Sequence, residues 1–242
     1  NNENNNLKPI FIIGVPRCGS TLIEKIIASG PQKIPMGEEI GVLNFVLGKR
    51  IIKSQNITDD MGEINNEILE LYKERGLINK SSNYIFTDKT LDNFFFIGFI
   101  KSLFPKAKII NCRRNPMSSI LSILKNNLGG VSWAHKLENI FQFFDIYYKK
   151  IETYNNLYPN SIYDLELEKF VKNPEEESKK LTQYCEIKWD KKCLEFYKRK
   201  DLISRTASNV QIRKPIYKKS PNNDDSYKYF FEEYGKKYSW FN

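Results

Sequence analysis

The segment Gly14-Val15-Pro16-Arg17-Cys18-Gly19-Ser20-Thr21 sets two glycines around an arginine and follows them with two hydroxyls. A bound phosphate needs backbone N–H groups converging at a helix N-terminus, and glycines let the backbone approach it. Ser20 and Thr21 add hydroxyl donors. The spacing GxxxxG is that of a nucleoside triphosphate loop, but Ser20 stands where a lysine would follow the second glycine. A kinase or triphosphatase needs that lysine on the terminal phosphates, together with Mg²⁺ ligands. A second basic site lies at Arg114, with Ser122 two turns along the following helix, so both side chains can reach one anion. Taken singly, each site also reads as ordinary structure: a glycine turn, or a solvated arginine at a strand exit. Glu38 and Glu39 read alone as a solvated pair at a helix start, and Lys89 as a surface lysine beside Asp88.

The elements that must position these residues alternate. Pro9 to Ile13 is a short apolar run read as a buried parallel strand, and from Ser20 the apolar residues Leu22, Ile23, Ile26 and Ile27 fall at helical spacing up to Gly30-Pro31. Helices are predicted over Ile40 to Ile52, Asp59 to Arg75, Asn93 to Phe104, Pro116 to Asn127, Trp133 to Leu157, and Pro174 to about Tyr184. Strands are predicted at Tyr84 to Phe86, Ala107 to Cys112 and Ser161 to Leu165. The tail from Ser204 is irregular and basic, with a last helix near Tyr227 to Tyr238. Alternating strands and helices imply an α/β fold, a parallel sheet flanked by helices on both faces. Residues 1–7 read as a polar tail and 8–242 as one domain.

Composition narrows the classes. The chain has 242 residues and a net charge of +9, which points to an anionic partner. Its 14% aromatic content argues against a disordered chain. The longest apolar patch, Phe94 to Ile100, is interrupted by Gly98 and falls short of the roughly 18 residues of a membrane span. Asn1 to Asn6 has no signal-peptide apolar core. Cys18, Cys112, Cys185 and Cys193 form no CxxC pair, and His135 is the single histidine, which leaves little for a metal site. Cys185 and Cys193 are the pair that could bridge, although reduced cysteines in a cytoplasmic protein are the better expectation.

Together the two sites carry a family resemblance. Pro16 to Leu22 (PRCGSTL) resembles the 5′-phosphosulfate loop, and Cys112 to Ser122 (CRRNPMSSILS) the 3′-phosphate motif, of sulfotransferases that use 3′-phosphoadenosine-5′-phosphosulfate (PAPS). The resemblance is closest to bacterial sulfotransferases associated with tetratricopeptide repeats and to tyrosylprotein sulfotransferases. It continues in order through Gly37-Glu38-Glu39, Asp88-Lys89, Phe104-Pro105, Asn173-Pro174-Glu175, Trp189-Asp190, Thr206-Ala207-Ser208 and Lys214 to Tyr217. It implies a sulfotransferase-like P-loop sheet. It also implies that Arg17, Cys18, Gly19, Ser20 and Thr21 bind the 5′-phosphate, with Arg17 also stabilising the transferring group. By the same resemblance, Arg114 and Ser122 match the 3′-phosphate ligands and Lys214 a residue near the cofactor phosphate. Lys89 and Ser208 match residues that stabilise charge near the bridging oxygen, and Glu39, with Glu38 as the alternative, matches the general base.

These residue types suit the chemistry. In an in-line displacement at sulfur a carboxylate takes the acceptor proton, and Arg and Lys offset charge on the equatorial and leaving oxygens. A sulfuryl group carries less charge than a phosphoryl group, so protein cations suffice and no metal is required. The expected products are a sulfated acceptor and adenosine 3′,5′-bisphosphate (PAP). The acceptor is a hydroxyl-bearing molecule, whether peptide tyrosine, carbohydrate or small molecule. No membrane or nucleic-acid partner is expected, and oligomeric state is left open. The alternatives are a P-loop kinase, disfavoured by the missing lysine, and a non-catalytic nucleotide- or nucleic-acid-binding protein. Two positions depart from the family pattern: Leu167 replaces a tyrosine, and Asn126 a basic residue. Arg113 is assigned no cofactor role, and His135 reads as structural or solvated.

Overall fold

The computed structural model of the chain describes residues 6–52, 61–79, 84–126, 128–199, 201, 215–216 and 228–241. Four strands, β1 (Ile10–Gly14), β2 (Thr87–Asp88), β3 (Lys108–Arg113) and β4 (Ile162–Glu166), form a parallel sheet in the order β2-β1-β3-β4. β1 is wholly buried, as its unbroken Ile-Phe-Ile-Ile run requires of a central strand covered on both faces. The helices that flank the sheet are α1 (Ser20–Ala28), α2 (Val42–Ile52), α3 (Met61–Glu74), α4 (Ile97–Leu103), α5 (Pro116–Asn126), α6 (Leu137–Leu157), α7 (Leu167–Lys172), α8 (Pro174–Tyr184) and α9 (Lys228–Lys237).

From β1 the chain goes to β2 on one side and later to β3 on the other. The sheet therefore has its switch point between β1 and β3, where ligands of open α/β sheets bind beyond the carboxyl ends of the strands. There Gly14 pairs with Cys112. α9 seals the far side of α6: Tyr234 stacks on Phe141 with ring centroids 4.2 Å apart, and the Trp240 indole N–H donates to Asp145 at 3.2 Å.

Several elements depart from the sequence expectation. The second strand comprises Thr87–Asp88 rather than Tyr84 to Phe86, although the Tyr84 and Phe86 carbonyls already accept the Lys8 and Ile10 N–H groups. The run from Asn93 to Phe104 opens as a 3₁₀ turn, Leu91–Phe96, before α4. The long helix predicted from Trp133 is broken at Lys136, whose backbone is extended; Ser132–His135 is a separate 3₁₀ turn that stacks Trp133 on Phe143 at 3.9 Å. α7 and the 3₁₀ segment Lys191–Lys198, unread in the sequence, are stretches of only six and eight residues. Cys185 and Cys193 are both free and buried, so the bridge they could form is absent. Asn127 and the tail from Ser204 to 214 lie outside the described residues, as do residues 217–227.

Candidate active site

The loop between β1 and α1 turns with little room to spare. A Cβ on Gly14 would stand 2.6 Å from the Cys112 carbonyl oxygen, so only glycine lets this strand end lie against β3. Gly19, at φ +95°, caps α1, and a Cβ there would meet the Leu167 methyl at 2.6 Å. Arg17, between them, is left-handed at φ +72°, a conformation costing about 1–3 kcal/mol for a non-glycine residue. Gly19 offers α1 no side-chain cap, and no acidic residue occupies the first turn. The helix end therefore presents its positive dipole to the loop. Ser20 and Thr21 are buried at that end.

The second basic site arrives at this loop. The Arg17 side chain donates through Nε to the Ser122 hydroxyl at 3.0 Å, and Arg114 donates through Nη1 to the Arg17 carbonyl at 3.2 Å. Burial, then the neighbouring Arg114 charge, pulls the Arg17 guanidinium below its ordinary value. Two arginines held together in this way are stabilised by an anion between them. Asn126 donates through Nδ2 to the Ser122 carbonyl at 2.7 Å, and thus sits beside the same hydroxyl. Arg113 is turned elsewhere, 3.8 Å from Asp164. Leu167 packs over Gly19 and contributes apolar surface at the position of the family tyrosine. Beneath the loop, a hydrogen bond between the buried thiols draws Cys18 down and pushes Cys112 up.

The third part is a carboxylate–ammonium pair. Lys89 is fully buried, and its Nζ donates to Glu39 Oε1 at 2.9 Å, while the Glu39 side chain is 54% exposed. The bland alternative, a surface lysine paired with Asp88, does not hold. Adjacent residues at a strand end point to opposite faces. Asp88 instead accepts from the Tyr72 hydroxyl at 2.7 Å, the Thr90 N–H at 2.9 Å and Asn93 Nδ2 at 3.1 Å. Glu38 differs from Glu39 in that its backbone carries the contacts: its N–H donates to Glu24 and its carbonyl accepts the Lys89 N–H. Asp92 is raised by burial and then by the nearby Glu39 charge.

Glu24 is the site residue that sequence reasoning missed. The available signal was an acidic residue between Ile23 and Ile26 on the apolar face of α1. Ser208 and Lys214 lie outside the described residues. His135 is exposed on its 3₁₀ turn. Among the described residues no helix is long and apolar enough to cross a membrane.

Comparisons with known proteins bear on the family and on the fold. A model described as the sulfotransferase family matches residues 9–191. An uncharacterized protein of Aquifex aeolicus (strain VF5) is 32% identical over 230 residues, 88% of this chain but 30% of that protein, so the chain spans less than a third of its relative. Among solved structures, the sulfotransferase domain of the Synechococcus PCC 7002 olefin synthase superposes with a TM-score of 0.62 at 17% identity, covering 95% of this chain and 96% of that one. A mouse sulfotransferase crystallised in complex with PAP superposes with a TM-score of 0.50 at 13% identity, covering 96% and 86%.

Proposed function

This chain belongs to the sulfotransferase family, and on that premise we propose that it moves a sulfuryl group from PAPS to a hydroxyl-bearing acceptor. The observation that most supports the reading is the hydrogen bond from Arg17 to Ser122, across 105 residues of sequence. It joins the glycine loop to the Arg114/Ser122 site, so that two anion-binding elements lie side by side, which suits a nucleotide phosphorylated at both its 5′ and 3′ positions. The residues fit such a nucleotide: an uncapped helix end, glycines that a Cβ would block, and two adjacent guanidinium groups.

In this reading the Arg17–Thr21 loop, with Cys18, Gly19 and Ser20, holds the 5′ end, and Arg114 with Ser122 holds the 3′-phosphate. PAPS, when bound, supplies the activated sulfuryl group. Glu39 takes the proton of the acceptor hydroxyl as its oxygen bonds to sulfur, and the sulfur–oxygen bond to the 5′-phosphate breaks with its electron pair on the phosphate. The pairing with Lys89 and the exposure of the carboxylate favour Glu39 over Glu38 for this task. Arg17 and Lys89 offset the charge that develops on the sulfuryl and leaving oxygens. The roles of Ser208 and Lys214, near the bridging oxygen and the cofactor phosphate, rest on the family resemblance alone.

Calorimetric titration without Mg²⁺ tests the assignment. PAP is expected to bind at least ten times more tightly than 5′-AMP, about the contribution of one charge-assisted contact to the extra phosphate. Equal affinities would remove Arg114 and Ser122 from any 3′-phosphate site.

A further inference from the structure

Under the Gly37-Glu38-Glu39 segment lies a carboxylate with no role in the proposed chemistry. Glu24 is fully buried in the middle of α1. Its Oε1 accepts two hydrogen bonds, from the Glu38 N–H at 2.9 Å and the Thr87 hydroxyl at 2.7 Å. The Thr87 hydroxyl oxygen in turn accepts the Gly37 N–H at 3.3 Å. Oε2 is buried with no hydrogen-bond partner. An isolated buried carboxylate costs several kcal/mol unless neighbours compensate, so a bland packing role would be served better by another isoleucine.

The segment above it needs holding. Glu38 is left-handed at φ +51°, and Gly37 has no space for a Cβ, which would meet the Thr87 carbonyl oxygen at 2.3 Å. The Glu38 carbonyl accepts the Lys89 N–H at 2.9 Å, so the residue before Glu39 is fastened on both sides, to Glu24 and to the backbone just after β2.

We propose that Glu24 is a positioning residue for the Glu39–Lys89 pair, clamping the Gly37–Glu38 backbone through its shared carboxylate oxygen. The inference rests on the reading of Glu39 as the base. The groups that face Glu24 are Lys89 and Thr87 from the β2 side and Glu38 from the segment. Burial pushes its carboxyl up to about 7, against the opposing pull of Lys89, the Thr87 hydroxyl and the Glu38 N–H. Above that pH the ionised carboxylate holds the Glu38 N–H and the Thr87 hydroxyl by charge-assisted hydrogen bonds. Below it the neutral acid grips the same donors more weakly, and the segment that carries Glu39 is held less tightly. Transfer therefore rises as pH passes through about 7.

Two measurements test this. The ¹⁵N–¹H signal of Glu38 in the ligand-free protein is expected to titrate with a midpoint near 7, and in Glu24→Gln to stay flat; a flat trace in the wild type overturns the clamp. In sulfation of a phenol from labelled PAPS, Glu24→Gln keeps its acceptor oxygen but loses the charge. It is expected to retain PAP affinity within about two-fold, lose about 10-fold in kcat above neutrality and lack the inflection, a displacement-scale effect on a positioned group. An unchanged pH profile overturns the proposal. Thr87→Val, which cuts the link to Gly37, gives a second reading through the same profile should Glu24→Gln not fold. Glu39→Gln separates the two ideas. If it stays active, the base assignment fails; if it is inactive while Glu24→Gln behaves as wild type, only the role of Glu24 fails.

Discussion

The two ends of the parallel sheet are both basic and differ in how their cations are held. At the carboxyl end, Lys89 is buried against Glu39, while Arg17 reaches Ser122 and Arg114 reaches a loop carbonyl, all around a helix end with no side-chain cap. At the amino end, Lys8, Lys101, Lys106 and Lys108 line an open cleft of about 470 Å³ with Asn160, Ser161, Tyr184 and Glu186. There Lys8 and Lys108 are both taken by Glu186, at 3.0 and 2.6 Å. The amino end has more lysines and no glycine loop. Its lysines are point charges and two of them are already paired with Glu186, whereas the carboxyl end presents planar guanidinium groups fixed by a hydroxyl and a loop carbonyl. The +9 net charge is thus shared by both ends, and convergence rather than number distinguishes the candidate site.

The largest expected effect lies at the carboxyl end. Glu39→Gln is expected to lower transfer by about 10²- to 10⁴-fold, the usual contribution of general base catalysis, while PAP affinity holds. Unchanged turnover with an accepted phenol would take the base away from this end. Next comes binding. Arg114→Ala removes a charge-assisted contact and is expected to weaken PAP about 10- to 100-fold. The double variant Lys101→Gln/Lys106→Gln, which removes two charges from the other end, is expected to leave PAP affinity within about two-fold, since exposed distant charges are screened. Equal losses in the two calorimetric titrations would collapse the distinction between the ends.

The fold and the loop were legible because their signals are local. Ile10 to Ile13 can only be a buried strand, Pro116 and Pro174 fix helix starts, and the glycines of the Gly14–Gly19 turn announce close backbone approach. The partner of Lys89 is not legible locally, because Glu39 lies on a segment 50 residues away and the direction of Asp88 at a strand end is invisible in a dipeptide. Glu24 was missed for a related reason. Its place among the isoleucines of α1 hints at burial, but its partners, Thr87 and the Glu38 N–H, come from a strand and a loop that only the fold brings over it. The break at Lys136 carries no local signal, since the residue caps α6 with no side-chain hydrogen bond.

A smaller effect tests how tightly the loop is built. Gly19→Ala introduces a Cβ 2.6 Å from Leu167 at a φ of +95°. It is expected to cost about 1–3 kcal/mol of stability, read from denaturant unfolding, and to weaken PAP in proportion to loop displacement. A neutral substitution would mean that the loop yields, and that the close packing of the carboxyl end does not select its residues.

The smallest expected effect belongs to the amino end. Lys108 and Lys8 together hold the Glu186 carboxyl down to about 2, below its ordinary 4.5. A carboxylate lowered on folding contributes stability that is present above about 4.5 and fades as pH falls toward 2. Because Glu186 is exposed, that contribution is screened by salt and discounted by solvent. Glu186→Gln is therefore expected to lower Tm slightly at neutral pH in dilute buffer. The difference should disappear both in about 1 M salt, where the Debye length is ~3 Å, and at acid pH. Freed of their carboxylate, Lys8 and Lys108 become as unpaired as an anion site requires. If the variant then bound PAP at a second site, the amino end would lack only the absence of its own acid, and the carboxyl end would owe its selectivity to Glu186 as much as to Arg114.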